Sequence, residues 1–488
     1  MPAAAVLGAA ILGGVGAAPA PATAAPALAI AVEGNHFVNG AGQTVRLLGV
    51  DVPGTEYACE EGWGYAQEPL TAATAQAIAA WHADAVRVPL NEDCWLGLNG
   101  QPSYGTEAGY RSAIESWVAA LNAAGLYAVL DLHWSAPGSV VADGQRPMPD
   151  DHSAAFWTSV AGAFAGDPAV VFDAFNEPYS PAADGDSTLA VSWSCWRDGG
   201  CAVPVAADGT TPDDADTYQA VGMQTLVDAI RATGADQPIL LGGLSYANDL
   251  SGWSADEPTD PAGQLAASFH NYYGEACDTA SCWNSTVAPV AAVVPVVTGE
   301  FDQGYDCADP PTGPPGLTGF DTTYMQWADA AGVSYLAWGW WVLGDTATAC
   351  SALSDPSDNY ALVSDQAGTP VAPDGLALFQ HLRALAGSGS GSGGGLAVAT
   401  ASLPAGTVGA RYTARLSATG GTGPARWSVV SGRLPLGLHL RARSGTISGR
   451  PRAEGRAAFT VEVRVKVKAE HEPVVWETAT RGLSLTVS

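Results

Sequence analysis

No lysine precedes Lys466 in this sequence of 488 residues. Residues 1–395 hold 7 basic residues against 44 acidic ones, which gives a net charge of −37. Residues 396–488 hold 13 against 5, which gives +8 and brings the whole chain to −29. A protein that follows a phosphate backbone needs clustered Lys and Arg, so the sequence argues against nucleic acid as a partner. The acidity of the long part is typical of a soluble or salt-tolerant surface.

Long apolar runs are also missing beyond the N-terminus. No stretch there reaches the ~20 apolar residues that span a bilayer, so we expect no membrane partner. The first 29 residues are almost entirely Ala, Gly, Pro, Val and Leu, with small-residue triplets typical of signal cleavage at 22–24 and 27–29. Since no Lys or Arg precedes this run, residues 1–29 are either an export signal or a disordered N-terminus. An export signal predicts a secreted, extracellular protein.

The sequence has no Cys-x-x-Cys pair, which argues against a zinc knuckle. It does have eight cysteines, all before residue 396. An even count beside an export segment favours disulfides formed in an oxidising compartment. Disulfides between cysteines that are neighbours in sequence order would cross-link the loops that follow the strands. On this basis we predict the pairs Cys59–Cys94, Cys195–Cys201, Cys277–Cys282 and Cys307–Cys350.

A glycine-serine segment divides the chain. Residues 387–395 read GSGSGSGGG and have no side chain that can pack, so they predict a flexible linker. We therefore expect a large domain over residues 30–386 and a small module over 396–488.

Before the linker, apolar runs alternate with helix-like segments. Each run is short and nearly continuous in hydrophobicity, which is typical of strands buried on both faces of a parallel sheet. Eight such units predict an α/β fold of the (β/α)8 TIM-barrel type. An open doubly wound sheet is the alternative, but a glycine-rich phosphate loop after the first strand is missing. The predicted strands span 44–51, 84–90, 126–134, 170–178, 238–243, 265–272, 295–301 and 333–341, and the clearest helices span 71–83, 109–125, 153–166, 217–234, 319–332 and 375–386.

After the linker, short alternating strands such as AAFTVEVRVKV (457–467) are broken by Gly and Pro, which predicts an all-β sandwich. The segments LPAGTVGARYTARLSATGG, WSVVSGRLPLGL and SGTISGRP resemble the immunoglobulin-like modules attached to many secreted bacterial enzymes. The few aromatic residues of this module fit a strand core better than a flat sugar-binding platform.

Polar residues end most of the predicted barrel strands. In a parallel barrel the active site forms at these C-terminal ends. Ionisable groups that close apolar runs are costly to bury unless they converge on one hydrated, hydrogen-bonded pocket. The strand ends carry Arg87, Asp131, His133, Asn176, Glu177, His270, Tyr272, Glu300 and Trp338.

Two of these residues fit the chemistry of glycosidic bond cleavage, which needs one carboxylic acid and one carboxylate. Glu177 and Glu300 supply this pair. Either one alone could be an ordinary rim glutamate, but together at two strand ends they predict a catalytic site.

The barrel part resembles glycoside hydrolase family 5, a family of retaining barrel enzymes that includes cellulases and mannanases. The resemblance covers roughly residues 33–386. It depends on RVP at 87–89, DLH at 131–133, FNEP at 175–178, HNY at 270–272, TGE at 298–300 and the tryptophan of YLAW at 338.

The resemblance implies roles for the other strand-end residues. Glu177 would be the acid/base and Glu300 the nucleophile, while Asn176 would hydrogen-bond the 2-hydroxyl of the sugar. Arg87 and Tyr272 would keep the nucleophile ionised, in agreement with the effect of a cation or donor on a carboxylate pKa. By itself, Arg87 would more often belong to a structural ion pair, but its place in this set of strand-end residues favours the site. The remaining expected substrate-binding residues are His133, His270, Trp338 and, as a second sugar platform, Trp134.

The sequence thus predicts a secreted, monomeric, retaining endo-β-glycosidase that hydrolyses β-1,4-glucan and needs no metal or organic cofactor. A β-mannanase or another β-glycan hydrolase is the alternative within the fold, because the segments 91–100, 193–201 and 277–283 depart from the family pattern. A non-catalytic carbohydrate-binding protein is the alternative of another class, although such a protein would be expected to have lost one of the two glutamates.

Overall fold

The computed structural model of the protein describes residues 28–303 apart from 186, 209 and 211–212, and then residues 319–342, 360–389, 397–398, 400, 403–419, 425–467 and 475–488.

Eight parallel strands close into one barrel, in which each strand pairs with the next along the chain and the last pairs with the first. This confirms the predicted TIM-barrel fold. Buried residues fill every position of the strand Ala85–Asn91, and every position except the last of Tyr127–Trp134 and Leu265–Tyr272, as expected for strands covered on both sides. The barrel strands are β1 (Leu48–Asp51), β2 (Ala85–Asn91), β3 (Tyr127–Trp134), β4 (Val170–Asp173), β5 (Ile239–Gly242), β6 (Leu265–Tyr272), β7 (Val296–Asp302) and β8 (Ser334–Ala337).

A small antiparallel sheet precedes the barrel. It consists of the strands Ile30–Glu33, His36–Asn39 and Thr44–Val45. The sequence prediction had joined the last of these to β1. Ile30 and Phe37 are buried in one apolar cluster with Leu47 and other residues from the beginnings of the barrel strands, so this sheet covers the N-terminal end of the barrel.

Helices surround the barrel. The helix Glu107–Ala123 shows how the sequence specifies them: the Thr106 side chain accepts a hydrogen bond from Gly109 N at its start, and Tyr110, Ile114 and Leu121 lie on its buried face. The longer helices are Ala72–Ala80, Glu107–Ala123, Ser153–Phe164, Met223–Arg231, Phe320–Ala331 and Asp374–Gly389. The short ones are Ala58–Glu61, Glu92–Leu96, Pro181–Asp184, Trp193–Asp198, Ala280–Cys282 and Ala288–Ala291, with a π-helix at Trp283–Val287.

The helix predicted over 217–234 was wrong in its first part. Residues Thr217–Val221 form a strand that pairs with Gly199–Pro204, and the helix begins only at Met223. The exposure of the TYQAV segment alternates residue by residue, which is the period of a strand rather than of a helix. At the C-terminal side, the helix Asp374–Gly389 continues three residues into the predicted linker.

Three of the four predicted disulfides are present: Cys59–Cys94, Cys195–Cys201 and Cys277–Cys282. The first joins the loop after β1 to the helix after β2. The fourth predicted pair, Cys307–Cys350, lies outside the described residues.

The C-terminal region consists of antiparallel strands and has an apolar core of its own. Tyr412, Trp427 and Phe459 are buried in that core, as the sequence predicted. The strands are Ala397–Val398, Tyr412–Arg415, Ala418–Thr419, Arg426–Gly432, Leu438–Arg441, Thr446–Gly449, Gly455–Val467 and Val475–Val487.

Within the described residues, we find no helix that is both long enough and apolar enough to cross a membrane.

Candidate active site

The strand-end residues singled out from the sequence meet at the C-terminal end of the barrel. Arg87 is at the centre of the group. Its guanidinium is fully buried and contacts four carboxylates, with nitrogen–oxygen distances between 2.7 and 3.2 Å. These carboxylates belong to Asp51 at the end of β1, Asp131 in β3, Asp173 at the end of β4 and Glu300 in β7.

One cation among four buried carboxylates leaves an excess of negative charge, so protons must neutralise part of it. Burial, opposed by Arg87, raises the pKa of Asp131 to about 7, and burial also raises the pKa of Asp51 and Asp173 well above the ordinary value. Burial disfavours the charge of Arg87, but the surrounding carboxylates raise its pKa above the ordinary value. Arg87 therefore stays charged, and the charge of the site is adjusted on the aspartates.

Glu300 accepts hydrogen bonds on both carboxylate oxygens. Arg87 Nη1 donates to Oε1 at 2.7 Å, and the Tyr272 hydroxyl donates to Oε2 at 2.7 Å. Burial and the negative charge of Glu300 raise the pKa of Tyr272 well above its ordinary value, so the hydroxyl keeps its proton and remains a donor. A cation and a hydroxyl therefore hold the Glu300 carboxylate in place, one at each oxygen.

Glu177 has a different environment. His270 Nδ1 lies 2.7 Å from its Oε1, and Gln145 Nε2 donates to its Oε2 at 3.1 Å. Burial raises the pKa of Glu177 to about 7, whereas burial lowers the pKa of His270 to about 3. Near neutral pH the imidazole is therefore neutral, and Glu177 can hold a proton.

The two glutamates face each other across the barrel. Glu177, His270 and Glu300 each place one ligand atom within 4.8 Å of the other two, so one pair of oxygens of the glutamates is no farther apart than this. This upper limit is compatible with the ~5 to 5.5 Å between the carboxyl groups of retaining enzymes and is below the ~6.5 to 9.5 Å of inverting ones.

Local irregularity in β7 places Glu300. The register of β7 shifts relative to β6 between Phe269 and His270, and relative to β8 between Thr298 and Phe301. Such a bulge redirects a side chain. At position 299, a Cβ atom would lie 2.7 Å from His270 Nε2, so only glycine leaves room for the imidazole between the two glutamates.

Asn176 links Arg87 to the loop after β3. Its Oδ1 accepts from Arg87 Nη2 at 2.7 Å, and its Nδ2 donates to Gln145 Oε1 at 2.6 Å. His133 is buried beside it, with Nδ1 at 2.6 Å from Asp131 Oδ2. Burial lowers the pKa of His133 to about 4.

Some of the aromatic residues near the strand ends lie beside the site, whereas others are buried in the core. Trp338 is half-buried, and its ring stacks on His133 with centroids 5.4 Å apart and an interplanar angle of 9°. Trp134 packs instead against Tyr57, with centroids 6.0 Å apart. Four other tryptophans near strand ends are buried in the core and offer no surface to a sugar: Trp95, Trp196, Trp283 and Trp340.

The sequence analysis missed four polar residues around the site. Asp51 and Asp173 could have been found, because each is a charged residue at the end of an otherwise apolar strand. Glu56 follows β1 in a loop. Burial raises its pKa to about 8, and the charges of Asp131 and Glu300 act in the same direction. Gln145 lies in the middle of the loop 135–152, where no local pattern marks it.

Glu177, His270 and Glu300 are close enough together to hold a metal ion. However, Arg87 and Tyr272 already donate to Glu300, and a guanidinium 2.7 Å from one of its oxygens opposes the entry of a second cation.

A closed parallel barrel with two opposed glutamates at the ends of β4 and β7 defines a glycoside hydrolase of the (β/α)8 class. The family model described as cellulase (glycosyl hydrolase family 5) matches residues 38–344, so the chain belongs to glycosyl hydrolase family 5. The family model of an Ig domain matches residues 395–488, in agreement with the predicted immunoglobulin-like module.

The chain is similar to several solved structures at low sequence identity. A β-glucanase from Saccharophagus degradans is 19% identical, with 75% of this chain and 97% of that chain covered and a TM-score of 0.50. The structure of the same enzyme in complex with cellotetraose is also 19% identical, with 75% of this chain and 97% of that chain covered and a TM-score of 0.49. The catalytic domain of a mannanase from Streptomyces sp. is 21% identical, with 72% and 89% covered and a TM-score of 0.45. A search of curated proteins found no match.

Proposed function

We propose that this glycoside hydrolase is a secreted retaining endo-β-glycosidase that hydrolyses β-1,4-glucan, with Glu177 as acid/base and Glu300 as nucleophile. One observation supports the proposal above the others. Oxygens of the two glutamates lie within 4.8 Å of each other, yet the two carboxyl groups have different hydrogen-bond partners. Arg87 and Tyr272 each donate a hydrogen bond to Glu300, one to each carboxylate oxygen. Burial favours the protonated form of Glu177.

The two roles follow from these environments. In the first step a Glu300 oxygen attacks the anomeric carbon, and Glu177 gives its proton to the glycosidic oxygen as that bond breaks. A covalent glycosyl-enzyme and the free leaving sugar result. In the second step Glu177 removes a proton from water, which attacks the anomeric carbon and releases Glu300. The product keeps the β configuration because each step inverts the anomeric carbon.

The surrounding residues supply the substrate-binding surface. Trp338 is half-buried at the end of β8 and offers a ring face on which a sugar can stack. Asn176 is held by Arg87 and Gln145 and lies beside His133, on which Trp338 stacks. The 2-hydroxyl of the substrate would lie next to Asn176. His133, His270 and, farther out, Trp134 complete the proposed set.

The choice of β-1,4-glucan rests on the cellulase family model, which the chain matches over residues 38–344. A β-mannanase is the alternative within the family. A non-catalytic carbohydrate-binding protein is disfavoured because both glutamates are present, with different partners.

Secretion is proposed from the small-residue N-terminus and from three disulfides, which form and persist in oxidising compartments. We propose the domain limits 30–386 and 396–488, with the protein acting as a monomer on a polysaccharide and without a cofactor for the reaction.

Two measurements test the proposal. Release of reducing sugar from a panel of β-glucans and β-mannans should be fastest on a β-1,4-glucan, and Glu300→Gln should abolish it on every member. A preference for mannan would replace the substrate assignment and leave the mechanism intact. Proton NMR of the first product should show the β anomer. An initial α anomer would mean inversion and would overturn the assigned roles.

A further inference from the structure

A second group of polar side chains lies at the base of the loop 135–152, which connects β3 to the helix Ser153–Phe164. We call it the loop-base cluster, and it is formed by Glu92, Ser135, Asp150 and His152. Glu92 is the first residue after β2. Ser135 begins the loop, whereas Asp150 and His152 end it.

The three ionisable members are close together. One ligand atom each from Glu92, Asp150 and His152 lies within 4.8 Å of the other two, and His152 Nδ1 is 4.0 Å from Glu92 Oε2. Glu92 and Asp150 have no exposed surface, while 22% of the His152 side chain is exposed. The imidazole therefore connects the buried carboxyls to solvent.

The Glu92 carboxyl lies beside Ser153 and Asp150, and the Asp150 carboxyl lies beside Glu92 and Ser135. Within the described residues, none of these contacts has acceptable hydrogen-bond geometry at either carboxylate oxygen of Glu92 or at Oδ2 of Asp150, and Nδ1 of His152 also has no such bond. Ser135 adds an independent observation. Its side chain is fully buried and lies beside the Asp150 carboxyl, yet its hydroxyl also has no bond of acceptable geometry. Buried polar groups are normally paired, so this concentration of unpaired atoms points to a partner of another kind.

The charges point the same way. Two buried carboxylates repel each other and lose hydration, and both costs fall when a cation lies between them. A protonated His152 would balance one carboxylate, whereas a divalent cation balances both. Arg146, the arginine of the same loop, is already bonded to Asp143 and to loop carbonyls.

We propose that Glu92, Asp150 and His152 bind a divalent cation of the zinc class, with Ser135 beside the ligands. Two carboxylate oxygens and an imidazole nitrogen are donors that Zn²⁺ accepts, while Ca²⁺ and Mg²⁺ take oxygen ligands almost exclusively. Nitrogen and oxygen ligands of one tetrahedral zinc ion lie about 3.3–3.6 Å apart. Pairs that now lie within 4.8 Å would therefore close by at most about 1.5 Å, a movement that two side chains share.

The cation would join both ends of the loop to β2. That loop carries Gln145, which bonds both Asn176 and Glu177. Zinc binding would therefore stabilise the fold and hold the loop that supplies this contact. This structural role of the cation is separate from the proposed glycosidic chemistry, and testing it does not require the substrate to be known.

The test uses the full chain without a histidine tag, stripped with EDTA and transferred to chelator-free buffer. We expect elemental analysis to find one equivalent of zinc after addition of ZnCl₂ and gel filtration. We also expect Tm to rise by about 2–5 °C at saturating zinc, and by less than about 1 °C with CaCl₂ or MgCl₂. Hydrogen exchange of residues 135–152 should slow in the same experiment.

Variants locate the zinc. His152→Ala and Glu92→Gln should lose both the bound equivalent and the Tm rise, whereas Asp151→Asn, which removes a neighbouring carboxylate that is 64% exposed, should keep them. Glu300→Gln should also keep them, which excludes the active-site glutamates as the ligands. Because His152 is partly exposed, His152→Ala is expected to fold, and its Tm in EDTA should match that of the parent chain. Three results would overturn the proposal: absence of bound zinc, equal effects of zinc and calcium, or an unchanged zinc response in His152→Ala. Absence of bound zinc would instead favour a proton shared by Glu92 and Asp150.

Discussion

His270 Nδ1 lies 2.7 Å from Oε1 of Glu177 and 3.7 Å from Oε2 of Glu300, so one buried imidazole stands between the two opposed glutamates. Burial lowers the pKa of His270 to about 3, so the imidazole is neutral over the working range of most enzymes. A neutral ring can accept a hydrogen bond from protonated Glu177 or donate one to its carboxylate, depending on the tautomer. It connects the two glutamates without adding a positive charge that would ionise Glu177.

The first prediction concerns pH. Because burial raises the pKa of Glu177 to about 7, the free enzyme loses its acid as the pH rises through that value. We expect kcat/KM on a polysaccharide to fall about tenfold for each pH unit above about 7. A profile recorded between pH 4 and 9, with stability at each pH checked separately, measures this limb.

Glu177→Gln supplies the control for that profile. On an aryl glycoside whose leaving group needs no protonation, this variant should lack the alkaline limb in the glycosylation step. A limb of the same midpoint in the variant would assign the titration to another group, such as Asp131.

The second prediction separates the roles of the two glutamates. Glu300→Ala should stop both half-reactions, with kcat lower by a factor of about 10⁴ or more, because no nucleophile remains. Glu177→Ala should still form the covalent intermediate from an activated aryl glycoside and release the aryl group in a burst. Mass spectrometry of the trapped protein should then find one glycosyl group on Glu300. A glycosyl group on any other residue would contradict the assignment.

The third prediction concerns Gln145, which donates to Glu177 and accepts from Asn176. The bond to Glu177 favours the charged carboxylate, so its loss in Gln145→Ala should move the alkaline limb to higher pH, by about half a unit to one unit. The loss of a polar contact should also lower kcat/KM about tenfold, the equivalent of about 1.4 kcal/mol. Kinetics across the pH range measure both effects.

Gln224→Ala is the matched control, because Gln224 bonds Asp228 and the Thr259 carbonyl far from the glutamates. Its pH profile should coincide with that of the parent chain. If Gln145→Ala lowers the rate without moving the limb, Gln145 acts only on the position of Asn176.

The fourth prediction concerns the C-terminal module. A chain that ends within residues 390–395 should fold and hydrolyse a short soluble substrate with kcat/KM within about twofold of the full chain, since every proposed catalytic group precedes the glycine-serine segment. Comparison of the two chains by thermal unfolding and kinetics tests this. A large loss of activity would indicate that the acidic barrel (−37) and the basic module (+8) interact in a way that catalysis requires.

The fold and the principal site residues could be predicted from local sequence patterns. Eight short apolar runs separated by helix-length segments indicated the barrel, because the burial of a parallel strand on both faces is recorded in its own consecutive residues. Polar residues at the ends of those runs indicated Arg87, Glu177 and Glu300, since parallel strands bring their C-terminal ends to one side. The helix predicted over 217–234 failed where a period of two was mistaken for a helical start.

Only the tertiary structure decided which groups touch. Nothing near position 145 in the sequence indicates that Gln145 bonds Glu177, because that contact depends on the path of an 18-residue loop across the barrel. The same holds for the loop-base cluster, whose members come from the end of β2 and from both ends of that loop. Trp338 and Trp340 differ by two positions, yet one is half-buried beside His133 and the other is in the core. Strand burial is set by a periodicity that repeats within a few residues, whereas contacts between loops are set by how distant segments pack, and the sequence of one segment does not contain that information.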